Sequence, residues 1–320
     1  MYKLKKWLTA HLKMHKITAF LWYVFRTALL VGISFILLFP IIYMFSISFR
    51  PVSEVTDPSI IWIPKTFTLE NIKMVFDFMK YPSALMNTLS IGAVSSIIQI
   101  ASCAFVGYGF ARFKFRERNI LFAMVIFTIL VPPQTLAIPS YLQFKSFDAF
   151  GILKLLSLIT GQDITVNLLD TRWVFYLPSL LGIGLKSGLF IFIFRQFFRG
   201  MSKELEDAAY IDGCGALRTF LKVILPNATG AILTVFLFSI VWHWNDYYNA
   251  AMYLTSTRTL AVTLASLRMD LQTLSIQGDP YQLVTRLQTG SLLTVLPLLV
   301  MYIVFQRHFT ESIERTGIVG

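Results

Sequence analysis

The chain has 320 residues, of which 56% are hydrophobic and 14% are charged, and its formal net charge is +11. This composition is too apolar for a soluble domain of this length, so it excludes a soluble enzyme and places the chain in a lipid bilayer. We attribute the positive charge to membrane topology and lipid contact, and we expect no nucleic-acid partner.

Residues 1–26 are expected to form a basic amphipathic segment. The run KLKKWLTAHLKMHK places Leu4, Leu8 and Leu12 on one helical face with lysines around them. This pattern is typical of a helix that lies on an anionic inner leaflet. A cleaved signal peptide is disfavoured because the apolar run that follows is long enough to span a membrane.

Six later segments are each long enough to cross a bilayer, which takes about 20 apolar residues. They make up the predicted membrane domain, residues 27–309, and six crossings put both termini on one side. The predicted fold class is therefore an all-α polytopic membrane protein with six transmembrane helices. The predicted spans are 27–49, 84–111, 119–144, 174–194, 223–245 and 287–306.

The distribution of Lys and Arg indicates which side the termini face. With a cytoplasmic N-terminus, the inside segments carry more of these residues than the outside segments, most clearly in the short loop 112–118. This orientation places both termini, the tail 310–320 and the polar segment 202–226 in the cytoplasm. Cys103 falls in a span and Cys214 in the cytoplasmic segment, so we expect no disulfide.

Residues 202–226 have the pattern of a helix, a turn and a second helix. Ser202 can accept a hydrogen bond from a free amide at the start of the first helix, whose first turn contains Glu206 and Asp207. Gly213 tolerates the left-handed backbone of a turn. In the second helix, apolar residues recur at helical spacing until a proline stops the pattern. These residues are Leu217, Phe220, Leu221, Ile224 and Pro226.

The run DAAYIDGCGALRTFLKVILP, residues 207–226, resembles the EAA loop of the membrane subunits of ABC importers. Asp207 stands where that family has Glu, which keeps the charge but shortens its reach. In the family this loop is the coupling helix, which sits in a cleft of the ATPase subunit; the alternative is a surface hairpin of no special role. The resemblance implies an ATPase-coupling role for Glu206, Asp207, Ala208, Ala209, Asp212, Gly213, Leu217, Phe220 and Pro226.

The wider chain, over most of residues 27–311, is similar to maltose-type carbohydrate permeases, through runs such as FTLEN, VPPQ and WHWNDYY. This resemblance implies a type I ABC importer transmembrane fold and a permease subunit that moves a carbohydrate, specifically an oligosaccharide, across the bacterial cytoplasmic membrane. It also implies three partners: a second, homologous permease, a dimeric cytoplasmic ATPase that binds ATP-Mg, and an extracytoplasmic solute-binding protein.

Two regions depart from the family pattern. The outer stretch 146–173 is longer than expected and is interpreted as a polar excursion, which either meets the solute-carrying partner or is a passive insertion. Its charged residues are Lys154, Asp163, Asp170 and Arg172. In the C-terminal tail, Ser312, Thr316 and Val319 stand where Gly, Gly and Lys are expected, which leaves open whether this tail reaches the ATPase.

The chain contains no phosphate-binding loop, because GIGLKSG at residues 182–188 lacks the Gly-Lys-Ser/Thr ending at the correct spacing. His11 and His15 are spaced as metal ligands are, but no third ligand is near, so no metal site is expected. We therefore predict a transport subunit that is not an enzyme and binds no cofactor itself. An ATP-independent secondary transporter or channel is the alternative, and it predicts mid-membrane carboxylates that the six spans lack.

A few polar and aromatic residues within the spans suit a path for a neutral, hydroxylated solute. Each also has a structural explanation: helix-to-helix hydrogen bonds, an interfacial aromatic belt, or, for Lys186, an ion pair or a hydrogen bond to carbonyls freed by a helix break. For Lys186 the structural explanation is favoured. The candidate path residues are Asn87, Gln99, Gln134, Lys186, Trp244, Asn245 and Asp246.

Overall fold

A computed structural model describes residues 2–57, 59–60, 62–161, 165–273 and 280–317. The chain divides into two compact units, Met1–Val75 with Gln277–Leu292, and Phe76–Ile276 with Leu293–Gly320. Every regular element in the described ranges is helical, and the β-type pairing seen there is one isolated antiparallel bridge between Phe147 and Val166.

The helices vary widely in length. In chain order they are α1 (Tyr2–Ser48), α2 (Val52–Val55), α3 (Glu70–Phe78), α4 (Tyr81–Arg112), α5 (Arg118–Leu130), α6 (Ala137–Lys145), α7 (Ile152–Thr160), α8 (Trp173–Leu180), α9 (Ser187–Gly200), α10 (Glu204–Ile211), α11 (Ala216–Thr219), α12 (Leu225–Asn227), α13 (Thr229–Trp244), α14 (Tyr247–Tyr253), α15 (Leu260–Thr273) and α16 (Pro280–Gly317). Short 3₁₀ turns cover Pro133–Leu136 and Ala149–Gly151, and a π turn covers Phe220–Ile224.

Three described helices are long and apolar enough to cross a membrane, namely Thr18–Ser48, Tyr81–Arg112 and Tyr281–Gln306. Each corresponds to one predicted span, and the first lacks only the last residue of its span, residue 49. Two further crossings depend on bent pairs of helices, one bent by 100° between α5 and the 133–145 segment and one bent by 77° between Ala216–Asn227 and α13. The described residues thus give three to five candidate spans, and the predicted count of six is not confirmed.

Prolines and left-handed residues explain where the predicted spans differ from the helices. In the 119–144 segment, Pro132 and Pro133 end α5 because proline lacks an amide donor and disfavours helix at the preceding residue. The 174–194 segment is broken between α8 and α9, where Gly182 and Lys186 have φ angles of 71° and 61°. Neither α8 nor α9 alone reaches the length of a span.

The prediction that Pro226 ends the hairpin's second helix is wrong. The helix ends one residue later, and the proline is not what ends it. The proline lies in the first turn of α12, a position that needs no amide donor, and the helix continues to Asn227. The π turn just before it shifts the hydrogen-bond register. The direction of the chain changes at Ala228, where the 77° bend leads into α13.

The two ends of the chain are helical in the described residues. Helix α1 continues from the 1–26 segment into the first span without interruption. Helix α16 extends into the predicted tail and ends at Gly317. The side chains of the predicted basic face, those of His11 and His15, and those of the divergent tail positions lie outside the described part of the chain.

Helix α4 is the centre of the second unit and packs against α8, α9 and α13. Gly107 allows the closest approach, since an added Cβ would lie 2.7 Å from the Cβ of Phe194 on α9. Two apolar clusters form around α4, one at each end. The first includes Cys103, Tyr108, Phe190, Phe194, Phe198, Phe220 and Ile224, and the second includes Ile91, Phe144, Val174, Phe175, Tyr253 and Leu254.

Candidate functional site

The hairpin's first arm begins and turns where the sequence predicts. The Ser202 hydroxyl accepts a hydrogen bond from the Glu204 amide at 3.2 Å, and α10 follows directly. Gly213 has a φ of 77°, and its amide and that of Cys214 donate to the carbonyls of Tyr210 and Ala209 at 3.0 and 2.9 Å. This pair of bonds is the Schellman motif that ends helices at a left-handed residue.

A buried ion pair fixes the inner side of the hairpin to α4. Glu206 Oε1 lies 2.7 Å from Arg112 Nε, and the two side chains are only 10% and 7% exposed. Arg112 also donates through Nη2 to the Met201 carbonyl at 2.9 Å. The last residue of α4 therefore holds both the entry to the hairpin and the first turn of α10.

An aromatic cluster fixes the second arm in the same way. The buried Phe220 ring lies 4.9 Å from the Tyr108 ring on α4, measured between centroids, and 5.9 and 6.2 Å from the rings of Phe105 and Phe198. Ala209 is also buried on this side. Three of the predicted coupling residues, Glu206, Ala209 and Phe220, thus face the body of the second unit.

The other predicted coupling residues form an exposed surface, which we call the outer hairpin face. It contains Asp207, Ala208, Asp212, Gly213, Leu217 and Pro226, which are all solvent-exposed. It also exposes large apolar side chains that are not among the predicted coupling residues, above all Ile211, which is 86% exposed. The sequence signal for this exposed residue was its position, because Ile211 directly precedes the Asp212–Gly213 turn. Large apolar side chains exposed on one polar hairpin are typical of a protein contact.

The candidate path residues do not form one cluster. Gln99 is fully buried and joins three helices: its Nε2 donates to the Leu185 carbonyl at 2.8 Å and to Ser187 Oγ at 2.6 Å, and its Oε1 accepts from Ser239 Oγ at 2.8 Å. Ser96 donates to Ser239 at 2.9 Å. This set, which we call the polar layer, links α4, α9 and α13 between the two apolar clusters.

Lys186 lies at the helix break that its neighbouring glycines predict. Its side chain is exposed, and its amine lies 5.9 Å from the centroid of the Trp242 ring. Among the described residues it forms no ion pair, and the carbonyl at the break, that of Leu185, is bound by Gln99. The described structure therefore shows neither the ion pair nor the hydrogen bond to a freed carbonyl that the sequence favours for Lys186.

The remaining candidates have separate local partners. Asn87 accepts from Arg172 Nη2 at 2.9 Å and donates to the Arg258 carbonyl at 3.1 Å, and the buried Trp244 donates through Nε1 to the Thr294 carbonyl at 3.2 Å. The others lie near helix ends. Gln134 is exposed in a 3₁₀ turn, Asn245 is exposed after α13, and Asp246 caps α14 by accepting from the Asn249 amide.

The outer stretch 146–173 is less polar than predicted, because it contains the mostly aliphatic helix α7. Asp170 fastens its end to the turn after α14, accepting from the amides of Thr255, Ser256 and Thr257 and, at 2.5 Å, from the Ser256 hydroxyl. These bonds, led by that of the hydroxyl, hold the pKa of Asp170 at about 2, below its ordinary value of 3.8. Asp163 lies outside the described residues.

The amino-acid pattern of residues 104–313, more than half of the chain, matches the family described as binding-protein-dependent transport system inner membrane component. The chain belongs to this family. The match includes the whole hairpin and, of the polar layer, Ser187 and Ser239, and it confirms the resemblance to importer permeases.

Relatives of known function extend over nearly the whole chain. The arabinooligosaccharides transport system permease protein AraQ of Halalkalibacterium halodurans is 29% identical, over 90% of this chain and 93% of its own. The trehalose transport system permease protein SugB of Mycobacterium tuberculosis is 27% identical, over 88% of this chain and 93% of its own length. A solved chain of a bacterial ABC transporter that imports alginate superposes with a TM-score of 0.68 at 22% identity, over 90% of this chain and 96% of that chain, which shows a shared fold.

Proposed function

We propose that this chain is a permease subunit of an ABC importer that moves an oligosaccharide across the bacterial cytoplasmic membrane. The family match over residues 104–313 is the observation that carries the proposal. The substrate class is supported by relatives named for arabinooligosaccharides, trehalose and polygalacturonan or rhamnogalacturonan. A neutral or weakly charged saccharide also fits spans whose polar groups are mainly amides and hydroxyls.

The outer hairpin face is the proposed contact with a separate, dimeric ATPase, which binds the ATP-Mg. Ile211 and Leu217 offer exposed apolar contact, while Asp207 and Asp212 offer charge at either end of α10. The inner contacts of Glu206 and Phe220 would carry a push on this face into α4 and α9. Closure of the ATPase would thereby change which side of the membrane the transport path faces.

The further partners proposed are a second homologous permease, an extracytoplasmic solute-binding protein and membrane lipid. Both termini and the hairpin are placed in the cytoplasm, as the Lys and Arg distribution favours. Among the candidate path residues, we propose Lys186, Gln134 and Asn245 for solute contact because their side chains are exposed. Asn87, Gln99, Trp244 and Asp246 are engaged by neighbours and would shape the path from behind.

The decisive experiment measures ATP hydrolysis and sugar uptake in parallel on the complex reconstituted in proteoliposomes. Gly213→Arg should leave the spans inserted but reduce ATPase docking or uncouple hydrolysis from uptake, since it places a long charged side chain on the outer hairpin face. Wild-type uptake by this variant would mean that the hairpin is not the coupling element. Transport by the chain alone, without ATP, would overturn the importer assignment.

The substrate class is tested separately in cells that lack this chain. The expected result is the loss of uptake of one oligosaccharide, restored by the wild-type chain. Loss of uptake of an amino acid, a peptide or a metal ion would contradict the carbohydrate proposal while leaving the permease assignment intact.

A further inference from the structure

Three arginine side chains gather where α5 packs against α9. The Arg195 guanidinium lies 3.7 Å from the centroid of the Phe122 ring, which joins the two helices at this level. Arg118 lies one turn before Phe122 and on the same face of α5. Arg199 lies one turn after Arg195 and on the same face of α9. We call Arg118, Arg195 and Arg199 the arginine cluster.

The charge of the cluster is not balanced within the described part of the chain. None of its three arginines forms an ion pair with a described carboxylate. The charges of Arg199 and Arg118 act on the Arg195 guanidinium, whose Nε is buried and has no hydrogen-bond partner among the described residues. Like charges held together in this way form a site for an anion.

The position of the cluster indicates the kind of anion. It lies at the first residue of α5 and in the last two turns of α9, near the ends of two apolar helices. On the α5 turns next to it, Leu121 and Met124 are exposed. A phospholipid supplies both a phosphate for the guanidinium groups and acyl chains for this apolar surface, whereas a free phosphate ion matches only the first.

We propose that the arginine cluster binds the phosphate headgroup of an anionic phospholipid. The planar guanidinium groups would grip its oxygens through paired N–H donors, with Arg195 held flat by Phe122. The lipid would lie against both α5 and α9 and keep α9 in register with the start of the hairpin. This inference does not depend on which solute the complex transports.

The test uses the full complex purified in mild detergent and compares the phosphatidylglycerol retained by two double variants, measured by native mass spectrometry. Arg118→Gln with Arg199→Gln removes two cluster charges and leaves the stack of Arg195 on Phe122. Lys114→Gln with Arg116→Gln is the matched control, because it removes the same charge from the exposed neighbouring loop. The cluster variant should retain roughly tenfold less phosphatidylglycerol than the control.

Three results would overturn the proposal. Equal retention by both double variants would mean that the surface charge attracts lipid without a site. Displacement of phosphatidylglycerol by millimolar inorganic phosphate would identify a site for a free anion. Loss of the second permease from the cluster variant, with lipid retention unchanged, would identify a protein contact. If the double variant does not assemble, Arg199→Gln alone, at the exposed end of α9, should show a smaller loss in the same assay.

Discussion

Glu206 and Arg112 form a buried ion pair, with a 2.7 Å contact between Oε1 and Nε, that joins the hairpin to the end of α4. A buried pair of this kind contributes less to net stability than to a fixed geometry, because the desolvation of both charges offsets much of their attraction. Here the fixed geometry is the angle at which α10 leaves the membrane-embedded helices. The pair is thus the part of the hairpin whose loss should be most visible in coupling.

Glu206→Gln should weaken the attachment of α10, because it leaves the Arg112 charge buried without its partner, at a cost of about 3 kcal/mol. The expected result is fewer sugar molecules imported per ATP hydrolysed, with the chain still inserted in the membrane. Glu204→Gln in the same first turn is the control, since Glu204 is exposed and its loss should change stability by less than about 0.5 kcal/mol. A Glu206→Gln complex with wild-type coupling would contradict the role given to the pair.

Gly213→Ala and Gly215→Ala should affect the stability of α10 differently, although the two glycines are close neighbours in the sequence. Gly213 has a left-handed backbone, in which an alanine is strained by about 1–2 kcal/mol, and among the described residues no atom beyond its two chain neighbours lies within 4 Å of the added Cβ. Gly215 has φ and ψ of −74° and 166°, which suit any residue. Hydrogen exchange of α10 amides should therefore rise in the first variant only. Equal exchange in both would show that the turn is not under backbone constraint.

Gln99→Leu distinguishes the two roles considered for Gln99, namely hydrogen bonding between helices and contact with the solute. If Gln99 serves the polar layer, the change leaves the Leu185 carbonyl and the Ser187 and Ser239 hydroxyls without their partner and lowers stability by about 1–3 kcal/mol. The melting temperature of the purified complex should fall, and Ser239→Ala should reproduce a smaller part of the effect. A changed sugar preference at unchanged melting temperature would instead place Gln99 in the solute path.

Asp170 makes the attachment of the outer stretch dependent on pH. Its pKa is lowered from 3.8 to about 2, so the carboxylate stabilises the folded state above pH 3.8, and this contribution is lost as the pH falls through about 2. Asp170→Asn should remove this stabilising contribution of the carboxylate at every pH. The measurement is hydrogen exchange at the amides of Thr255, Ser256 and Thr257, which should lose protection at neutral pH, while Asp270→Asn, at an exposed ion pair, should not have this effect.

The sequence predicted the hairpin well because its signals are local. A hydroxyl before a run of acids, and a glycine three residues after Tyr210, determine where α10 begins and turns without reference to the rest of the chain. Of the predicted coupling residues, Glu206, Ala209 and Phe220 are buried on one side and the others are exposed, which follows from helical spacing. The pairing of Glu206 with Arg112 was not predictable, because it joins distant parts of the chain.

The spans were predicted less well because hydropathy measures composition and does not detect breaks. Pro132 and Pro133, and the left-handed Lys186, interrupt segments whose average apolarity is unaffected by them. The glycines beside Lys186 signalled the break but not its hydrogen-bond partner. Gln99 occupies that role from another helix, and only the packing of α4 on α9 brings the two together.

The polar layer restricts how this protein can move. Gln99 on α4 binds both Ser187 on α9 and Ser239 on α13, in a surrounding without competing water. Sliding or twisting any one of these helices past the others would therefore break hydrogen bonds that lipid cannot replace. The three helices should therefore travel as a single solid block. The pivots would then lie at its borders, such as the bend at Ala228, and a gate built from this chain would open by tilting the block as a whole.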